Sequence, residues 1–567
     1  MIDRPDIEVP EAIDHLHLPE GTKVLEKEAI QKEDLQNLTS FEKTWDKLNV
    51  SSVRNSHPVR TYTPTIARNT ADKSILKTHS REKKFTKEFN DVVIYALGGY
   101  GKLLANMTAI VYEKSFILID CGKGREIPHN FEGPLTLDRL DTLPFKYPKY
   151  GKVLQLIDQG YVLKGVLLTH HHADHVMGFP DLLKALKQRN ISKADFPIYC
   201  SEVTAAFGKS ASIPNFPSVS KINLLQQNNF EIEHEIQKDV TFRSYRLTHS
   251  SLCSDAIYLN VKGKKILFLP DHTKDYAAPL GPDQILVDQR FNEVCKDNPD
   301  VLIIEGTSLR RKTNVDASEG ICHAAIRNRL NKLHNDVDVQ TIVISTFATN
   351  PNRFYSILRA GYDSGRTVAL YGRGVIGGFN ALKVLNLVPE KYIANTIIVA
   401  KDEDFAIINK NKKKYIIFVT GHMGQPNAGL SKLIPLKNGA SVEPGAAFSL
   451  TSKDVVVLAS TTIPVETAIL TRNNLLNDLR FNRTKCYHAD EYPELHASGH
   501  IGAADYYTYI SRFHNFKQIL INHGDLVQST TIYSHLAHCK SYNLRKQVKI
   551  LLDGQWENLS GNYPKKS

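Results

Sequence analysis

Four side chains able to bind a metal cation fall between positions 170 and 175: His170, His172, Asp174 and His175. They lie in the stretch Val-Leu-Leu-Thr-His-His-His-Ala-Asp-His-Val-Met-Gly, residues 166–178. The residues before them, Gly165 to Leu168, read as a short buried strand, and Val176, Phe179, Leu182, Leu183 and Leu186 have helical spacing. The histidines are therefore expected on a strand-to-helix turn, which presents side chains without burying them. His170 and His172 alternate to one side of an extended backbone, whereas Asp174 and His175 sit where the chain turns over. Two pairs of ligands then converge on neighbouring points, an arrangement that suits two ions. Imidazoles flanked by a carboxylate suit zinc or manganese, and two ions about 3.5–4 Å apart can stabilise both oxygens of an in-line phosphoryl displacement. The plainer alternative for a run of three histidines is a solvated turn. His171 points away from its neighbours by alternation, so it is expected to face solvent or to support the site from outside, and not to ligate.

The chain that must position this turn has 567 residues, 42% of them hydrophobic, which is enough for several domains with real cores. No apolar run approaches the length of a membrane span. The N-terminus, Met-Ile-Asp-Arg-Pro-Asp, lacks the basic and apolar regions of a secretory signal. The seven cysteines are scattered and never form a C-x-x-C pair. A reducing cytoplasm is the expected home. Seventy-one basic against 60 acidic side chains give a net charge of +11, which suits a polyanionic partner, as well as simple solubility.

Residues 1–89 read as an extension. The first fifty carry 12 acidic and 6 basic side chains, and Arg54 to Lys87 carry 9 basic and 2 acidic ones. Weak helices are expected near 26–35 and 41–48, followed by a basic tether that is either an RNA-contacting or docking arm or an inert tail. From Asp91 the texture turns to strands, with Val92–Ala96, Thr108–Tyr112 and Phe116–Asp120, and a Gly98-Gly99-Tyr100-Gly101 turn that allows backbone close to a site. Beyond the histidine turn, strand Val240–His249 ends in His249. A hairpin about Lys262-Gly263 then delivers Asp271 to the same edge. Strand Val301–Ile304 runs into Glu305. The block to about Lys410 alternates helix and strand (317–333, 341–345, 351–363, 367–371, 377–386) and reads as a separate α/β layer. Strand Val455–Ser460 is expected to re-enter the first domain, ahead of His496-Ala497-Ser498-Gly499-His500 and of His523, which ends the apolar strand Ile519–Asn522.

Thr169 to His175 resembles the His-x-His-x-Asp-His signature of the metallo-β-lactamase fold, which hosts lactamases, thioesterases, glyoxalases and nucleases. The string Ala-Leu-Gly-Gly-x-Gly, Asn106-Met107 and Ile-Asp-x-Gly is similar to the opening of ribonuclease J, although Lys102 and Leu104 replace an acid and a glycine. Phe347, Asn350-Pro351-Asn352-Arg353, the segment 365–373 and Thr420–Pro426 resemble its inserted β-CASP domain, and His496-x-Ser498-x-His500 resembles its phosphate-holding motif. The resemblance spans about residues 91–540. It implies an αββα sandwich of α/β class, with an extension at 1–89, the first part of the metallo-β-lactamase domain at 90–305, the β-CASP insertion at 306–450 and the second part with a tail at 451–567. The family's further C-terminal domain is expected to be absent, which leaves the oligomeric state open.

The resemblance also implies roles. His170, His172 and His249 hold one ion, Asp174, His175 and His523 hold the other, and Asp271 bridges. Glu305 and His500 correspond to the acidic and histidine motifs peculiar to β-CASP proteins, where the pair places a proton on the departing 3′ oxygen. The implied enzyme is a ribonuclease with two divalent ions, zinc first and manganese or magnesium as alternatives. It cuts single-stranded RNA internally and digests it 5′ to 3′ from a monophosphate held by His496, Ser498 and His500, and its partners are the ribosome or RNA-decay proteins. A DNA nuclease like Artemis, a small-molecule metallo-hydrolase and a non-catalytic RNA-binding relative are the alternatives. The last two leave the insertion or the complete ligand set unexplained.

Overall fold

A computed structural model describes residues between 91 and 559, apart from 126–144, most of 211–231, 309–317, 436–447, 531–547 and a few scattered positions. The extension 1–89 lies outside the described residues. Two seven-stranded sheets form the host domain. The first runs Trp556–Asn558, Val93–Gly98, Met107–Tyr112, Ser115–Ile119, Val162–Leu167, Ile198–Cys200 and Asn223–Leu224. The second runs His234–Gln237, Val240–Leu247, Ser254–Val261, Lys264–Leu269, Val301–Glu305, Gln518–Asn522 and Val548–Lys549.

Alternation decides how these sheets stack. Ile94, Ile110, Ile117, Ile119 and Leu167 face Ile257, Leu259, Ile266, Phe268 and Ile303 in one core between the sheets. The opposite face of the first sheet packs Val93, Val111, Phe116 and Val166 under Val153, Leu156, Phe179, Leu182 and Leu186 of two helices. The opposite face of the second sheet is covered by Val287, Phe291, Val294 and Ile510. Helix, sheet, sheet and helix thus form four layers.

Register brings the chemistry to one edge. The second sheet pairs Leu269 with Ile304 and Glu305 with Asn522 in parallel, so Asp271, Glu305 and His523 emerge side by side. Strand Val240–Leu247 runs the same way two places along and ends just before His249. In the first sheet Ile119 pairs with Leu167, which sets Asp120 and the histidine turn at the corresponding edge. The edges are tied where the Asp255 N–H donates to the Thr169 carbonyl at 3.0 Å.

The insertion is a six-stranded, wholly parallel sheet in the order Thr396–Val399, Thr367–Tyr371, Tyr415–Val419, Ile342–Ser345, Val455–Leu458 and Lys485–His488. The expected boundary at 450 is corrected here, because Val455–Leu458 pairs with Ile342–Ser345 and stays inside the insertion. The chain re-enters a host sheet only at Gln518–Asn522. Parallel strands covered on both faces read as continuous apolar runs whichever sheet they join, so the run Val-Val-Val-Leu carries no mark of its destination. Host and insertion share a core in which Val203, Ala206 and Phe207 pack with Phe379 and Leu382.

Candidate metal centre and active site

The histidine turn forms as a one-turn helix, Ala173–Val176, directly after extended His172. Its side chains, those at the edge of the second sheet and His500 meet in three groups, each with its candidate ligand atoms within 4.8 Å of one another. These are His170, His172, His249 and Asp271; Asp174, His175 and His523; and Asp271, Glu305 and His500. Asp271 stands at the junction. Its Oδ2 lies 3.7 Å from His170 Nε2, 3.8 Å from His249 Nε2 and 3.4 Å from His523 Nε2, and its Oδ1 lies 3.4 Å from His175 Nε2. His523 Nε2 is 2.9 Å from Asp174 Oδ2.

The rings are aimed by contacts on their other nitrogen. Nδ1 of His175 meets Asp120 Oδ2 at 2.8 Å, Nδ1 of His170 meets Thr169 Oγ1 at 3.1 Å, and Nδ1 of His523 meets Thr307 Oγ1 at 3.0 Å. Nδ1 of His249 meets the Gly499 carbonyl at 2.6 Å. Each contact turns Nε2 inward, the usual way a protein orients a metal-binding imidazole. His172 presents Nδ1 instead, 3.0 Å from His249 Nε2.

Two observations fit this donor set to divalent cations. His170 Nε2 is fully buried and has no hydrogen-bond partner among the described residues, a cost that native structures avoid unless another group fills the gap. Burial also pushes His170 and His249 well below the usual imidazole range and His172 down to about 3, which keeps their lone pairs available. At His175 burial acts in the same direction, but the carboxylates of Asp271, Asp120 and Asp174 outweigh it and raise the ring.

Backbone geometry adds to the support. His523 has φ +48°, an uncommon conformation for a residue with a side chain, and its N–H donates to the Gly99 carbonyl at 2.8 Å. Gly99 is itself at φ +83°, and a Cβ there would meet Asn106 Oδ1 at 1.9 Å. At the far side His500 Nδ1 lies 2.7 Å from Glu305 Oε2 and 3.8 Å from Asp271 Oδ2. Burial would raise the Glu305 carboxyl, but His500 outweighs it and holds the group below its ordinary value.

The phosphate motif is divided. Ser498 and Gly499 line a small cavity with Thr248, His249 and Asp275, and Ser498 Oγ accepts from His500 N at 3.3 Å. His496 closes the short turn Pro493–Leu495 and is not among the three groups of candidate ligands.

Of the two placements expected for His171, the solvent-facing one is corrected. The residue is buried, its Nε2 lies 2.8 Å from the Thr349 carbonyl, and its ring stacks on Phe207 at 4.2 Å, so it fastens the insertion to the host instead of facing solvent. The sequence reading assigned no role to Asp120, Thr169, Thr307 or Gly499. An acid ending the wholly buried strand Ser115–Ile119 was a usable signal for Asp120. Thr169 and Gly499 lie within quoted motifs, but nothing local shows that they hold His170 and His249, and Thr307 lies in none.

Comparison with known proteins agrees with this architecture. The beta-lactamase superfamily domain model matches residues 116–345, and the model named Ribonuclease J, beta-CASP domain matches residues 339–479. Ribonuclease J of Pyrococcus abyssi is 24% identical over 488 residues, covering 84% of this chain and 99% of the relative. Ribonuclease J of Methanocaldococcus jannaschii is 25% identical, covering 82% and 97%, and that of Mycoplasma genitalium is 25% identical, covering 82% and 72%. A crystal structure of a protein of unknown function from Enterococcus faecalis shares the fold at TM-score 0.50 and 14% identity, covering 83% of this chain and all of that one. The chain thus has a metallo-β-lactamase fold carrying a segment that matches the Ribonuclease J, beta-CASP domain, and over most of its length it is similar to proteins named Ribonuclease J.

Proposed function

We propose that this chain is a metal-dependent ribonuclease that hydrolyses RNA phosphodiester bonds, internally and also 5′ to 3′ from a monophosphate end. The observation that carries the reading is the convergence of His170, His172, His249, Asp174, His175 and His523 around Asp271, with the Glu305–His500 pair immediately beside it. Two divalent cations bound there would supply Lewis acidity toward the phosphate and a nucleophilic water near neutral pH. The imidazole-rich set suits zinc, with manganese or magnesium as the alternatives. Asp271 lies between the two groups of ligands and fixes their spacing. His500, oriented by Glu305, donates a proton to the departing 3′ oxygen as the P–O bond breaks. His496, Ser498 and His500 receive a terminal monophosphate.

Single-stranded RNA is the substrate of this reading, the reducing cytoplasm its location, and ribosome or RNA-decay proteins its partners. Among the described residues no helix is long and apolar enough to cross a membrane. Among the described residues five free cysteines are buried, namely Cys121, Cys200, Cys253, Cys295 and Cys322.

Cleavage of 5′-monophosphate RNA, 5′-hydroxyl RNA and matched DNA, each with and without chelator, tests the reading. RNA cleavage that chelator stops is expected. Preference for DNA would favour an Artemis-like enzyme, and no cleavage of either polymer would leave a small-molecule hydrolase or a binding protein.

Ser498→Ala removes one hydroxyl and no candidate metal ligand. Its rate ratio between monophosphate and hydroxyl ends should fall about ten- to hundredfold, the worth of one hydrogen bond to a charged group, with metal content unchanged. An unaltered ratio would remove Ser498 from the phosphate seat. Deleting residues 1–89 tests the basic arm. Each lost phosphate contact should flatten the log–log salt dependence of RNA binding by up to about 0.9. An unchanged slope would return the segment to a tail or a protein-docking role.

A further inference from the structure

Arg353, 1% exposed, is among the largest fully buried side chains of the chain, yet it touches none of the candidate ligands. It sits in the helix Pro351–Asp363, and its guanidinium takes both carboxylate oxygens of Glu319, Nε to Oε2 at 3.2 Å and Nη2 to Oε1 at 3.1 Å. Asn350 Nδ2 completes the Glu319 side at 2.8 Å. The remaining nitrogen, Nη1, points the other way. It donates to the carbonyl of Ala459 and, at 3.3 Å, to the carbonyl of Leu495, the residue directly before His496.

Glu319 is tied in turn to the host domain. It opens the helix Glu319–Asn335, and its free N–H is received by Asp275 Oδ2 at 2.6 Å, in the loop that begins at Asp271. Asp275 and Glu319 line the same small cavity as Ser498, Gly499 and His249. One buried ion pair therefore joins the loop after Asp271, two helices of the insertion and the start of segment 496–500.

We propose that Arg353 is a positioning residue for the substrate's terminal phosphate. By holding the Leu495 carbonyl in a fixed fork geometry, it sets the distance from Ser498 and His496 to Asp271. The fork matters because guanidinium makes several directed bonds at once, which a single ammonium does not. A buried ion pair contributes little net stability against apolar replacement, so specifying one arrangement is the better reason for its presence here.

This inference rests on the proposed ribonuclease reading, and wild type separates the two. Without a preference of wild type for 5′-monophosphate RNA, the 5′-end half of that reading fails and the proposal for Arg353 is overturned, while chelator-sensitive internal cleavage would leave the ribonuclease reading standing. With a preference, two variants are compared: Arg353→Lys, which keeps the charge, and the double change Arg353→Met with Glu319→Gln, which removes both members of the ion pair together. Each should retain wild-type metal content while KM for monophosphate RNA rises and the rate ratio between monophosphate and hydroxyl ends drops, by up to on the order of 10²-fold for a shift near 1 Å. A merely structural role would lower the active fraction and kcat on both RNAs and leave the ratio alone, and that result overturns the proposal. If the double variant fails to fold, the ratio for Arg353→Lys decides, and a wild-type value rejects the assignment.

Discussion

Replacement of Asp271 by alanine is expected to abolish detectable RNA cleavage and to release most of the bound metal while the fold survives. The carboxylate is 2% exposed and lies within 3.8 Å of inward nitrogens from both groups of histidines, and no neighbouring acid occupies the same junction. On the two-cation reading, its removal would take away a negative charge lying between the two groups of candidate ligands. Loss of one preorganised stabilising donor in other enzymes costs about 10²–10³ in kcat, and a group shared by both metal positions should cost more. Folding is expected to persist, because Asp271 follows a strand whose apolar residues Ile266, Leu267, Phe268 and Leu269 are untouched. Metal analysis, circular dichroism and cleavage of labelled RNA together check this. Turnover with two ions still bound would refute the bridging role.

His500→Ala should give the next largest loss, about 10²–10⁴ in kcat with both ions retained, the usual range for a general acid. The distinction from Asp271 follows from geometry. His500 is held by Glu305 at 2.7 Å, and its ring meets those of His249 and His523 only edgewise, at 5.3 and 5.7 Å. A substrate with sulfur replacing the bridging 3′ oxygen provides the check. Thiolate leaves without a proton, so His500→Ala should cleave it at close to the wild-type rate. If the sulfur substrate is slowed as much as ordinary RNA, His500 acts through structure and not through proton donation.

Much of the site was legible in the sequence because its signals are local. Each of His170, Asp271, Glu305 and His523 follows an apolar run and His249 follows a mixed polar and apolar one, and such segments become strands whose ends gather at one edge of a sheet. The hairpin about Lys262-Gly263 and the helix Pro351–Asp363 were equally readable, from turn chemistry and from a proline at a helix start. What escaped depends on main-chain atoms far away in sequence. The partner of His171 is a carbonyl 178 positions on, and that of His249 is a carbonyl 250 positions on. Backbone acceptors exist at every residue, so no pattern singles these out. The end of the insertion was missed for a related reason, since Val455–Leu458 has the same buried character in either sheet.

The second sheet takes His523 on its strand Gln518–Asn522, and the first is closed along Val93–Gly98 by Trp556–Asn558, with Val93 paired to Asn558. The histidine turn is made hundreds of residues earlier. A nascent chain can therefore fold its early strands and its inserted sheet while lacking one wall of the catalytic chamber, because contacts this distant in sequence form last. On the ribonuclease reading, such an order of assembly keeps the candidate site one ligand short until the strand before His523 has joined its sheet.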